Sequence, residues 1–207
     1  MAFKRLAILN AIMSKIVLNL GCGKTRLPNS IGVDSVKIED YVDVVHDLNT
    51  LPYPFKDNYA DEVHLYHVLE HLANPLKKLE EIHRILKIGG KAYIRVPHFS
   101  SMGAFTDLTH IRPFGIMSFN CLQKDDYHHF YTKVEYKVLH REIRYLGLYP
   151  NNGFYGKYIH PNQCPKILRP FILVLNFFIN LSPYLFERVW CYYVGGATEV
   201  FVILEKR

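Results

Sequence analysis

The hydrophobic positions of the chain follow two different periods, and the alternation between them predicts the secondary structure. Short apolar runs recur without helical spacing, and each is followed by polar or glycine-rich residues, as is typical of buried strands. Five runs of this kind occupy the first half of the chain, at residues 16–20, 31–34, 42–45, 62–66 and 91–96.

One segment between the last two runs has helical spacing instead. Apolar residues recur every three or four positions from Leu76 to Leu86, which places them on one face of a helix. Pro75 suits the first turn, and Gly89 and Gly90 suit a helix end. The pattern predicts a helix over residues 75–87, and the order of strands and helix predicts a mostly parallel sheet.

The second half of the chain predicts two further strands and an insertion between them. Residues 134–138 alternate apolar and polar side chains, and the final apolar run begins near Ala197. The insertion, at about residues 157–193, is dominated by apolar side chains. Because nothing else in the 207 residues indicates a linker or a repeat, we expect a single domain over residues 1–207.

The centre of this insertion, residues 170–186, contains 17 residues without a charge. A membrane-spanning helix needs about 20 apolar residues, and Asn176 and Asn180 interrupt this one. Two hypotheses remain: a helical lid over the sheet and the substrate pocket, or a helix lying in a membrane interface. In the second case Lys166, Arg169 and Arg188 would face anionic headgroups.

Charge and cysteine content restrict the setting. The formal net charge is +6, which permits an acidic substrate or an anionic membrane surface, but no basic tail of the nucleic-acid-binding kind is present. The four cysteines are scattered and predict no disulfide framework, so we expect a cytoplasmic protein. The first 15 residues predict a short amphipathic helix rather than a secretory signal.

A glycine-rich turn, LNLGCGKT, follows the first predicted strand. It does not fit a P-loop, because the first glycine of that motif would fall at Leu18. It does not fit the dinucleotide fingerprint, because Arg26 occupies the third glycine position. Gly21 and Gly23 still permit close approach of a ligand, and Asp34 at the end of the second strand suits ribose hydroxyls. The pattern indicates a cofactor with a nucleoside but no pyrophosphate.

Four motifs in order resemble the class I S-adenosylmethionine-dependent methyltransferases, closest to the small methyltransferase type 11 group. They are LNLGCG…GVDS, Asp47-Leu48, ADEVHLYHVLEHL and LEEIHRILKIGGKAYIRVP. The resemblance implies a Rossmann-like α/β methyltransferase sandwich, with a mostly parallel seven-stranded sheet and an antiparallel last strand. Only eleven positions separate Gly23 from Asp34, so the first crossover helix should be abbreviated.

The resemblance also implies how S-adenosyl-L-methionine is held. The glycine turn would meet its methionine part, the acidic end of the second strand its ribose, and the Asp-Leu pair its adenine. A residue closing the fourth strand would lie near the reacting methyl group. Carried over, the cofactor-binding residues are Gly21, Cys22, Gly23, Asp34, Ser35, Asp47, Leu48 and His67.

The acceptor should lie beyond the fifth strand, where the sequence reads PHFSSMGAFTDLTHIRPFG. The pattern D-x-T-H-x-R-x-F within it also resembles the type 11 group. We predict His110 as a general base, with His67 as a second catalytic residue. His98, Arg112 and Phe114 are predicted to bind substrate.

Residues 67–71 read HVLEH, which matches an inverted zinc-peptidase motif. Ala73-Asn74-Pro75 stops any long helix there, so we reject a peptidase. A metal-assisted methyltransferase using His67, Glu70 and His71 remains an alternative, with a further ligand at His98 or His110. The preferred assignment contains no metal ligand, because imidazole is a poor ligand for magnesium.

The sequence therefore predicts methyl transfer from S-adenosylmethionine to a small-molecule, glycan or lipid-linked acceptor, with oxygen as the expected atom. Peripheral membrane contact through the insertion is part of this hypothesis. A nucleic-acid acceptor is not expected, since no Asn/Asp-Pro-Pro-aromatic motif follows the fourth strand. The alternative from another class is a catalytically idle S-adenosylmethionine-binding scaffold protein.

Overall fold

The computed structural model describes residues 15–145, 166–193 and 195–207. The predicted N-terminal helix and the first part of the insertion, residues 157–165, lie outside the described residues. Side-chain positions are also not described for Lys166 and Arg169.

Seven strands form one sheet in the order β3-β2-β1-β4-β5-β7-β6. Strands β1 to β5 pair with one another in parallel, and β7 runs antiparallel to both β5 and β6. This topology confirms the predicted Rossmann-like methyltransferase fold. The strands are β1 Val17–Leu20, β2 Ile31–Asp34, β3 Val44–Val45, β4 Ala60–Tyr66, β5 Leu86–Pro97, β6 Tyr136–Arg144 and β7 Glu199–Lys206.

The connection from β1 to β2 contains no helix, as the short spacing predicts. Its turn is held by polar side chains instead: Asn19 Oδ1 accepts from the Leu27 backbone N–H at 2.9 Å, and the Arg26 guanidinium donates to the Ser30 carbonyl at 2.8 Å. The short loop keeps the space above the carboxyl ends of β1 and β2 open.

The predicted helix is confirmed as α1, Pro75–Ile85, but its predicted end at Lys87 is wrong by two residues. Leu86 has an extended backbone and pairs with Ala60 of β4, so β5 begins directly at the helix end. The glycine pair expected to end the helix lies inside β5, where Gly89 has a φ of +74°. Side chains of α1 such as Ile82 and Ile85 are fully buried against the sheet.

The predicted strand at residues 134–138 is displaced: β6 starts at Tyr136 and continues to Arg144. Strand β6 is one of the two edge strands and pairs only with β7. Its exposed positions carry charged residues, which hide the alternation of apolar and polar side chains.

The described part of the insertion includes two helices, α2 at Arg169–Leu181 and α3 at Pro183–Tyr193. Helix α2 packs along β6 through Ile172 and Ile179, which are buried. Within the described residues no single helix has both the length and the apolar composition to cross a bilayer. The two helices would meet that test only as a pair, and they are bent by 96°.

Candidate active site

The carboxyl ends of β1, β2 and β4 surround a cavity of about 300 Å³. This is the edge of an open parallel sheet where ligands are expected to bind. Six of the eight predicted cofactor residues line the cavity, and they come from four separate segments of the chain. These six are Gly21, Asp34, Ser35, Asp47, Leu48 and His67.

Gly21 shapes the floor of the cavity through its backbone. It has a φ of +66°, and its N–H donates to the Val33 carbonyl at 2.8 Å. A Cβ at this position would stand 2.4 Å from Cγ2 of Val68, which also lines the cavity. A side chain at this position would therefore collide with Val68 in the cavity wall, which explains why the position is a glycine.

Cys22 and Gly23, the other two predicted residues, build the turn rather than line the cavity. The Cys22 side chain is buried with its thiol directed at the Tyr41 carbonyl, and burial raises the pKa of that thiol to about 11. The Gly23 N–H donates to Oδ2 of Asp34 at 2.8 Å. The turn after β1 and the carboxylate after β2 thus fix each other.

Asp34 retains acceptor capacity for a ligand. Its Oδ1 accepts from the Ser35 N–H at 2.8 Å, and its Oδ2 accepts from Gly23. The Ser35 hydroxyl also donates to Oδ1, at 3.4 Å. Because a carboxylate offers about four lone-pair sites, Oδ2, with one donor, can still accept from a ribose hydroxyl. These residues fit the nucleoside of the predicted cofactor.

The predicted adenine pair, Asp47 and Leu48, lies on the opposite wall. Tyr53 fixes this loop, because its hydroxyl donates to the Leu48 carbonyl at 3.1 Å. The sequence analysis missed Asn49, which also lines the cavity and whose Oδ1 accepts from the Ala73 N–H at 2.9 Å. Asn49 gave no signal in the sequence, since its partner is 24 residues away.

His67 closes β4 with a φ of +56° and contacts two buried carboxylates. Its Nε2 lies 3.2 Å from Glu199 Oε2, and its Nδ1 lies 3.4 Å from Glu70 Oε1. Desolvation lowers the pKa of His67, but the two carboxylates outweigh it and raise that pKa to about 9. Glu199 also pairs with Arg95 and Arg144, at 2.7 and 3.0 Å.

A second polar cluster adjoins the cavity through His71, one of its lining residues. The rings of His71 and His110 meet edge to face at 4.6 Å, and His110 Nε2 lies 3.9 Å from Glu70 Oε1. The loop after β5 contributes Asp107 and Thr109 to the same cluster. The structure thus brings His67, Glu70, His71 and His110 together, although His110 itself does not line the cavity.

None of the three predicted substrate-binding residues lines the cavity. His98 is fully buried and lies 2.6 Å from Ser100 Oγ and 3.0 Å from Glu187 Oε1. Phe114 is also buried and stacks on Phe119, whereas Arg112 is exposed. Direct contact of these residues with an acceptor stays a prediction.

Comparison with known proteins agrees with this geometry. Residues 18–94 match the model of a methyltransferase domain family, the type 11 group. No curated protein gives a significant match to the chain.

Solved structures share the fold at low sequence identity. YcgJ from Bacillus subtilis is 13% identical, with a TM-score of 0.52, and the match covers 99% of this chain and 98% of that one. An S-adenosylmethionine-dependent methyltransferase from Mesorhizobium loti is 12% identical, with a TM-score of 0.50 and coverage of 97% and 96%. The [4+2]-cyclase SpnF is 16% identical, with a TM-score of 0.52 and coverage of 98% and 80%.

The family match spans the strands and turns that form the cofactor cavity. The similarity to YcgJ extends over 99% of this chain and so includes the remaining strands. The family match therefore supports S-adenosylmethionine as the cofactor. That the residues around Gly21 and Asp34 hold it stays a prediction. Residues 18–94 therefore match a methyltransferase domain, and the described sheet has the fold of S-adenosylmethionine-dependent methyltransferases.

Proposed function

We propose that the enzyme methylates an oxygen atom of a small, lipid-linked acceptor that it meets at an anionic membrane surface. The observation that carries this proposal is the orientation of α2. Its two asparagines face the protein together with Ile172 and Ile179, whereas six large apolar side chains face outward. An ordinary surface helix instead presents polar side chains to the solvent.

The inward face of α2 completes the edge of the sheet. Asn176 Oδ1 accepts from the Tyr145 N–H at 2.7 Å, and Asn180 Oδ1 accepts from the Ile143 N–H at 2.8 Å. Each amide also donates to the carbonyl of the same residue, at 3.1 and 2.8 Å. The two asparagines thus satisfy backbone groups of the edge strand that would otherwise need water or another strand.

The outward face of α2 is a continuous apolar surface. Large exposed apolar patches mark interaction sites, because scattered single residues are all that an aqueous surface normally carries. Six of its side chains are more than half exposed: Phe171, Leu173, Val174, Phe177, Phe178 and Leu181.

Helix α3 extends this surface with aromatic residues. Trp190, Tyr192 and Tyr193 are exposed, and such amphipathic rings favour the boundary between hydrocarbon and water. Arg188 is exposed beside them, and the chain carries a formal charge of +6. This combination favours an anionic bilayer over a second protein as the occupant.

The apolar surface is connected to the loop that carries His110. Tyr192 lies 6.4 Å from Phe99, and Glu187 accepts from the Ile116 N–H. Between these contacts the loop exposes Phe105 and Leu108. These contacts join the apolar surface to the loop that contributes His110 to the cluster beside the cofactor cavity.

Oxygen is the proposed acceptor atom because the cavity adjoins a histidine–carboxylate cluster. Methyl transfer from a sulfonium needs mainly alignment, which can supply about 7–11 kcal/mol. Activation of a hydroxyl or carboxyl acceptor adds a further factor of roughly 10²–10⁴. We assign this activation to His110, with His67 beside the reacting methyl group.

Vesicle flotation tests the membrane part of the proposal. The protein should float with vesicles of phosphatidylglycerol and phosphatidylcholine. Phe177→Glu should lower the bound fraction about tenfold, because it replaces a ring that enters the bilayer with a charge. Ile88→Glu is the matched control, because Ile88 is equally apolar and is 73% exposed on β5. A protein that stays soluble and dimerises instead would contradict bilayer binding.

Transfer of an isotope-labelled methyl group tests the acceptor. Two acceptors with the same hydroxyl group are compared, one water-soluble and one with an alkyl chain in anionic vesicles. We expect kcat/KM about tenfold higher for the alkylated acceptor, a methyl–oxygen bond in the product, and a similar loss of kcat in His110→Ala. His140→Ala, at an exposed histidine on β6, is the control. Label on nitrogen or carbon would contradict the proposal.

A further inference from the structure

We propose that Glu70, His71 and His110 form a binding site for one divalent transition-metal ion, such as Zn²⁺ or Co²⁺. Each side chain can present one ligand atom, and these atoms all lie within 4.8 Å of one another. A tetrahedral ion with bonds of about 2.1 Å places its ligands roughly 3.4 Å apart. Because His110 Nε2 and Glu70 Oε1 are already 3.9 Å apart, small side-chain rotations would close the site.

The burial of Glu70 is an independent reason to expect a cation. Its side chain is fully buried, and neither carboxylate oxygen accepts a hydrogen bond from the described residues. Burying a carboxylate without hydrogen bonds costs several kcal/mol. Oε1 lies 3.4 Å from His67 Nδ1 and 3.9 Å from His110 Nε2, and neither contact is a hydrogen bond.

The hydrogen bonds around His71 leave its Nε2 ready to bind a metal. The Thr109 hydroxyl donates to Asp107 Oδ1 at 2.6 Å, so its oxygen must accept at its 2.8 Å contact with His71 Nδ1. The proton of the neutral imidazole therefore sits on Nδ1, and Nε2 carries the lone pair. Metal-binding histidines in proteins are oriented by the same kind of outer contact.

The ligand types favour one class of ion. Two imidazoles and one carboxylate suit Zn²⁺ and its neighbours in the transition series, whereas Mg²⁺ prefers oxygen ligands alone. Three protein ligands leave at least one position open for water or an acceptor oxygen. The metal-assisted alternative in the sequence used His67; the geometry points to His110 in its place.

The catalytic role of such an ion rests on the proposed function, although binding of the ion does not. His71 lines the cofactor cavity, so an acceptor hydroxyl bound to the ion would lie beside the cofactor. The hydroxyl would release its proton to water more readily on the ion. Its oxygen would then bond to the methyl carbon as the carbon–sulfur bond breaks, leaving S-adenosylhomocysteine. His110 would act here as a ligand of the ion.

Metal titration of the chelator-treated protein tests the site without S-adenosylmethionine or acceptor. We expect one Co²⁺ per chain, with the visible absorption of a four- or five-coordinate ion, displaced by one Zn²⁺. Glu70→Gln should weaken binding about tenfold or more, and Thr109→Val about 10–100-fold through His71. His140→Ala should bind as the wild type does, because His140 is an exposed histidine with one carboxylate, Glu142, at 3.3 Å.

Thermal melts verify that each variant is folded. If Glu70→Gln unfolds, Thr109→Val still tests the site, because Thr109 is exposed and its substitution should leave the fold intact. Absence of saturable binding in the wild type would overturn the proposal. The proposal would also be overturned if both Glu70→Gln and Thr109→Val bound the ion as tightly as the wild type does. That result would place the ion on cysteines or elsewhere on the surface. Intact metal binding without methyl transfer would contradict the proposed function alone.

Discussion

Gly21 links a backbone dihedral angle directly to the shape of the cofactor cavity. Its φ of +66° lies in the left-handed region, and its missing side chain leaves room for Val68. Gly89 provides a comparison, because it has a φ of +74° but open space around its Cβ position. Substitution of Gly89 therefore measures the cost of the backbone conformation alone, whereas substitution of Gly21 adds the steric conflict with Val68.

Substitution by alanine should expose this difference. Gly89→Ala should lower the free energy of unfolding by about 1–2 kcal/mol and leave the Kd for S-adenosylhomocysteine unchanged. Gly21→Ala should cost more and weaken that Kd about tenfold, since Val68 must move into the cavity. Urea unfolding and ligand titration measure the two quantities. Equal Kd values for the two variants would contradict the role given to Gly21.

At this scale the sequence predicted the residues that have local motifs. The glycine turn follows an apolar run and Asp34 ends one, so both were identified from the pattern, whereas the Asp47-Leu48 pair was implied by the family resemblance. The partner of His67 could not be found in the same way. Glu199 reaches it only through the antiparallel register of β7 on β5, which pairs Glu199 with Pro97.

Helix α2 shows how the meaning of a residue depends on the element that it contacts. In the sequence, Asn176 and Asn180 appear as polar interruptions of an apolar run. In the structure they bind the backbone of β6, and the apolar residues between them face outward. Composition alone could not decide which face was buried, because the apolar residues surround the helix on almost every side.

The two faces of α2 should respond differently to mutation. Asn180→Ala leaves the Ile143 N–H and carbonyl without their partners, so the free energy of unfolding should fall by about 1–3 kcal/mol. Phe177→Ala should change it by less than about 0.5 kcal/mol in detergent-free buffer, because Phe177 is 62% exposed. Urea denaturation compares them. A larger loss for Phe177→Ala would mean that the outward face is packed within the protein.

The sequence predicted most elements but misplaced several boundaries. The end of α1 was missed because β5 starts without a connecting loop, so the glycine pair that resembles a helix stop belongs to a strand. Strand β6 was shortened because an edge strand with one paired side tolerates charged residues. Both errors arise from tertiary pairing, which local patterns do not record.

In the described residues, five parallel strands are followed by β6 and by β7, which is antiparallel to both β5 and β6. The apolar helical insertion lies between β6 and β7. The abbreviated first crossover was predictable from the spacing between Gly23 and Asp34, and the antiparallel last strand was implied by the family resemblance. The connection between the insertion and the active-site loop was not predictable, because it depends on Glu187 meeting His98 across 89 residues.

The measurement that tests the central claim most directly is a thermal melt with and without S-adenosylhomocysteine. At 100 times its Kd the ligand should stabilise the fold by about 2.7 kcal/mol, which raises the Tm by roughly 5–10 °C. The shift should vanish in Asp34→Ala and persist in Asp125→Ala, an exposed aspartate far from the cavity-lining residues. No shift in the folded wild-type protein, or an equal shift in Asp34→Ala, would contradict the cofactor site.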